Sequence, residues 1–121
     1  MRARVAYLTL VAGLLAAPAS ATEITRTVSC QADAVSFDIL FLTTRDDQPA
    51  YGVSAGGRVA PAAIASESED STVFRVTPKT NMPQITLITL KASGAALVSL
   101  RERNVQATFG AQCEEKTEQG S

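Results

Sequence analysis

The chain holds two cysteines, Cys30 and Cys113, and they limit the folds open to it more than any other feature. Each lies in a stretch where apolar and polar residues alternate with period two, which reads as an extended strand. Ile24, Val28 and Cys30 fall on one phase, against Thr25, Thr27, Ser29 and Gln31 on the other. Val105, Ala107, Phe109, Ala111 and Cys113 likewise share a phase. Each thiol therefore projects from the apolar face of its strand, and the two meet only if the first and last strands come together under a shared core. Closing a barrel does this, and so does facing two sheets in a sandwich.

A disulfide is the expected state of the pair. The chain contains no histidine to complete a Cys/His metal set, and two distant thiolates are too few for zinc. The C-x-x-C spacing of a redox-active pair is also missing. Closing a loop of this length stabilises a fold by about 4 to 5 kcal/mol in the chain-entropy model.

A disulfide implies an oxidising compartment, and the N-terminus supplies a route to one. Arg2 and Arg4 form a positive n-region, Val5 to Ala17 is apolar, and Ala19-Ser20-Ala21 presents the small residues that a signal peptidase reads. Residues 1–21 are expected to be a signal peptide cleaved after Ala21, with the mature chain periplasmic or secreted. An uncleaved anchor is the weaker alternative, because the small-residue cleavage site is well formed, and the apolar core is shorter than the roughly 20 residues of a spanning helix. No later segment is apolar enough to span, so no membrane insertion of the mature chain is expected. Lipidation at Cys30 is disfavoured by the preceding Thr27-Val28-Ser29.

Removing the leader leaves nine basic residues against twelve acidic ones, a net charge of −3. A mildly acidic chain with scattered arginines has no basic stripe to neutralise phosphates, so nucleic acid is not an expected partner. Residues 22–113 are read as a single β domain and 114–121 as a polar, disordered tail.

Between the cysteines the alternation recurs. Val35, Phe37, Ile39 and Phe41 form a second strand with Ser36 and Asp38 on its polar face, and Tyr51, Val53 and Ala55 a third that ends at Gly56-Gly57. Arg58 to Ala65 is ambiguous: alanine-rich and interrupted by Pro61, it fits a short helix or an edge strand. Ser66 to Ser71 reads as an acidic loop, followed by strands over Thr72 to Thr77, Ile85 to Lys91, Ala95 to Arg101 and Val105 to Cys113. Seven to eight short strands joined mostly by hairpin turns predict an all-β fold, a small antiparallel barrel or sandwich.

Chemistry is sparse. Without histidine there is no Ser-His-Asp or Cys-His arrangement. Asp46 with Asp47, or Glu67 with Glu69, are the carboxylate pairs open to glycoside chemistry, but both lie in expected turns, where acids serve solubility. Gly56-Gly57 lacks the lysine and the helix of a phosphate loop, and the acidic stretch lacks EF-hand spacing. No catalytic residue, metal or cofactor is expected.

Binding through loops is what remains. The candidate contact residues are Arg45, Asp46 and Asp47; Glu67, Glu69 and Asp70; and Lys79 and Asn81, on connections that a rigid scaffold would present to a protein or envelope component. In layout, an exported barrel tied at its ends by an early and a late cysteine resembles the small bacterial inhibitors of C-type lysozyme. That resemblance implies an enzyme inhibitor. Those proteins carry an aromatic and Lys-Gly motif on late strands, whereas the matching stretch here is Thr86-Leu87-Ile88-Thr89-Leu90-Lys91-Ala92, so no inhibitory residue is carried over. The alternative is a structural or assembly component of the cell envelope that pairs with neighbours through an open sheet edge.

Overall fold

The computed structural model describes residues 22–116; the expected leader and residues 117–121 of the expected tail lie outside the described residues. Eight strands follow in order: β1 (Thr22–Ala32), β2 (Ser36–Thr44), β3 (Pro49–Ala55), β4 (Arg58–Glu67), β5 (Ser71–Val76), β6 (Ile85–Lys91), β7 (Ala95–Glu102) and β8 (Val105–Glu115). Each pairs antiparallel with the next, and β8 returns to pair with β1, closing an up-and-down barrel. The all-β expectation holds, and of barrel and sandwich the chain forms the barrel.

Alternation explains the core. Val28, Cys30, Phe37, Ile39, Val53, Phe74, Ile85, Ile88 and Val98 point inward and are buried, while Ser29, Gln31, Asp38, Arg75 and Gln112 lie on the outer phase. The interior is apolar, while Ile24, Val59 and Leu97 are apolar residues exposed on the outside. Among the described residues, no helix is long and apolar enough to cross a membrane.

The disulfide closes the barrel where the first and last strands meet. Cys30 stands directly opposite Cys113 in the β1–β8 ladder, with Cα atoms 4.0 Å apart. Cys113 donates its N–H away from β1, to the Gly94 carbonyl at 2.8 Å. The two cysteines thus form a non-hydrogen-bonded pair, the kind in which opposite Cα atoms approach most closely.

Several local expectations need correction. Ile24 does not share the core face with Val28, because Thr25 is an extra residue between the pairs Ile24–Leu42 and Arg26–Phe41. This bulge turns Ile24 outward, where it is 55% exposed. Val105 and Ala107 have the core phase but lie exposed, because β1 covers β8 only from Ala111 onward. The acidic loop is narrower than expected: Ser66 and Glu67 belong to β4 and Ser71 to β5. Glu114 and Glu115, expected in a disordered tail, extend β8. Lys116 then donates its N–H to the Thr27 carbonyl at 2.9 Å and its Nζ to Asp38 Oδ2 at 3.1 Å.

The ambiguous stretch Arg58–Ala65 is neither a helix nor an edge strand but part of β4, paired on both sides. Pro61 is tolerated because its missing N–H falls at the end of a ladder. Its carbonyl accepts from Thr77 N–H at 3.0 Å, one residue past the end of β5, so the lost reciprocal bond would have been the last one.

Candidate functional site

Antiparallel up-and-down connection sends alternate turns to opposite ends of the barrel. One end collects the start of β1, the turns over residues 45–48, 68–70 and 92–94, and the end of β8. The other carries the turns over 33–35, 56–57 and 103–104 and the longer loop over 77–84. A cavity of about 370 Å³ opens at the first end.

Aromatic rings form its floor. Phe41 and Tyr51 face each other across the β2–β3 ladder with ring centroids 5.7 Å apart and nearly perpendicular. Both also meet the fully buried Phe74 of β5 edge-on, at 5.9 and 5.7 Å. Three mutual edge contacts lock the rings, each contributing about 0.5–1.5 kcal/mol beyond area burial. Val28, Ile64 and Leu90 supply apolar walls.

Charge lines the rim. Glu67, Glu69, Asp70, Glu114 and Glu115 stand around the opening with two cations, Arg26 and Lys91. Arg26 lies over the Phe41 ring, 4.5 Å from its centroid, and donates from Nε to Glu115 Oε2 at 2.6 Å. That ion pair links the start of β1 to the end of β8, so the mouth is held by a charge contact as well as by the disulfide.

Two local devices aim these side chains. Arg26 shares the inward phase of Val28 and Cys30 by unbroken alternation, since the Thr25 bulge lies before that run and redirects only Ile24. Glu67 turns to the face of Ile64 because Ala65 is an extra residue between the pairs Ile64–Phe74 and Ser66–Val73. Without that bulge, three positions of spacing would place Glu67 on the opposite face.

The candidate contact residues do not form one set. Glu67, Glu69 and Asp70 line the mouth. Arg45, Asp46 and Asp47 are at the same end but outside the cavity, on an exposed hairpin turn in which Asp47 adopts φ 61° and donates its N–H to the Thr44 carbonyl. Lys79 and Asn81 lie on the 77–84 loop at the far end, where Gln84 Nε2 donates to the Lys79 carbonyl. The reading by loops missed Arg26, Phe41, Tyr51 and Glu115. For Arg26 a signal existed: it is a cation on the apolar phase of β1.

No family model, curated protein or solved structure matches this chain. The site must therefore be read from its own chemistry. Excess carboxylates around an opening favour a positively charged group, and aromatic faces behind them favour one that stacks or packs.

Proposed function

We propose that the chain is an exported, non-catalytic binding module that grips a cationic protein at the barrel mouth. The observation that carries this reading is the mouth itself, with five carboxylates against two cations around an aromatic floor. Complementary charge steers encounter and rejects acidic partners, while the rigid barrel limits the ordering cost of binding. The leader expected over residues 1–21 and the Cys30–Cys113 disulfide support an exported, oxidising setting, periplasmic or secreted. An inhibitor of a basic enzyme fits this chemistry and the layout shared with the lysozyme inhibitors, acting through the Glu67–Asp70 rim.

The test is a pull-down from envelope and host extracts with the oxidised protein, run beside a Glu69→Lys/Asp70→Lys variant. A basic protein retained by the wild type and lost by the variant or at raised salt supports the proposal. Equal retention by both chains, or retention of acidic proteins only, sinks it. An assay of C-type lysozyme lysis then decides the inhibitor reading separately, since an unaffected lysis rate removes lysozyme as the target.

A further inference from the structure

The first half of β8 is a sheet edge. The ladder from β8 to β7 runs over Val105–Gln112, but the ladder to β1 covers only Ala111–Glu115. Among the described residues, Val105–Gly110 therefore has β7 on one side and no strand on the other. Cys113 points its N–H toward β7, and main-chain groups alternate sides along a strand. The N–H and C=O groups of Gln106, Thr108 and Gly110 consequently face out of the free edge.

Three features mark this edge as built for pairing. Exposed edges are ordinarily blocked by lysine, proline or inward charge, and Val-Gln-Ala-Thr-Phe-Gly contains none of these. Gly110 lies within the strand without a positive φ, and no heavy atom stands within 4 Å of where its Cβ would be. Among the described residues nothing calls for glycine there, and one use of glycine in a strand is the close approach of another backbone. Beside the edge, a mostly apolar groove of about 370 Å³ is lined by Val35, Met82, Leu100 and Phe109 together with Arg101 and Glu102, and Val105 at its border is 66% exposed.

We infer that the occupant is the same edge of a second copy, paired antiparallel about a two-fold axis at Thr108. This register sets Thr108 opposite Thr108 and Gln106 opposite Gly110, so every outward N–H and C=O of the edge finds a partner. No charged side chain of the edge meets another. In a chain of net negative charge, this uncharged strand is where two copies approach with least repulsion. Ala107 of one copy falls opposite Phe109 of the other, on the face of the groove, and the two grooves join in one apolar seam. The edge lies in the half of β8 away from the mouth, so both mouths stay open and the inference does not rest on the proposed function.

Sedimentation of the oxidised protein over a wide concentration range tests this. Twice the protomer mass is expected for the wild type and a monomer for Thr108→Pro, which removes the edge N–H without touching the β7 ladder. Circular dichroism and the intact disulfide check that this variant folds. If it does not, cysteine crosslinking decides: Thr108→Cys should give a covalent dimer on oxidation, because opposed Cα atoms of about 5.5 Å suit a disulfide, whereas Gln106→Cys should not. A wild type that is monomeric throughout overturns the inference, as does a dimer that survives Thr108→Pro or crosslinks equally through Gln106→Cys. Hydrogen-exchange protection of Gln106, Thr108 and Gly110 that arises only on adding an extract also overturns it, in favour of a foreign strand.

Discussion

Arg26 stands directly opposite Phe41 in the β1–β2 ladder, and its guanidinium carbon lies 4.5 Å from the ring centroid. The same guanidinium reaches Glu115 at the far end of the chain. One side chain thus covers the aromatic floor of the mouth and joins its two chain ends. Both partners of the ion pair are about half exposed, so the pair contributes little by itself, and the stacking contributes about 0.5–1 kcal/mol.

Replacing Arg26 by Ala is expected to lower stability by about 1 kcal/mol in urea denaturation, from the stacking and the ion pair together. Arg26→Lys should recover only part of this, because an ammonium lacks the planar face that stacks on a ring. Full recovery by lysine would show that charge alone matters at this position.

Phe74 is fully buried beneath the floor and touches both of its rings, Phe41 and Tyr51. Phe74→Ala should cost about 3–5 kcal/mol, since the barrel wall cannot collapse into the space. A loss below about 1 kcal/mol would mean that the cluster repacks freely.

Removing the disulfide, by reduction or by the double change Cys30→Ala/Cys113→Ala, is expected to lower stability by about 4 kcal/mol. The bond spans 83 residues and constrains nearly the whole folded chain in the unfolded state. Denaturation with and without reductant measures the effect, and equal midpoints would contradict it.

Gly94 adopts φ +100°, and a Cβ there would stand 3.0 Å from the Cys113 carbonyl oxygen. Its own carbonyl accepts the Cys113 N–H, so the turn and the β7–β8 ladder are set together. Gly94→Ala should destabilise by more than about 1 kcal/mol, through both the conformation and the close approach. Gly57→Ala, also at positive φ but with no heavy atom within 4 Å, separates the conformational part from the contact.

Period-two alternation is a local property of strands, and it carried most of the architecture. Phe37, Ile39 and Phe41, or Val53 and Ala55, announce their inward face without knowledge of any neighbour. The two thiols on apolar phases added the one long-range statement, that β1 and β8 meet, and their direct opposition bears this out. Net charge and the absence of histidine are likewise readable from the residues alone.

Tertiary structure decided what depends on pairing. A bulge exists only relative to a partner strand, so the outward turn of Ile24 and the inward turn of Glu67 could not be counted off the chain. Which loops share an end follows from the parity of the strands between them, and the ambiguity at Arg58–Ala65 concealed that parity. Resolving it places Glu67, Glu69 and Asp70 at the mouth and Lys79 and Asn81 at the other end. The stagger of the closed barrel, set by all eight ladders at once, leaves Val105–Gly110 with β7 on one side and, among the described residues, no strand on the β1 side, although its alternation reads as core. Alternation says which face of a strand is apolar; only the assembled sheet says whether anything covers it.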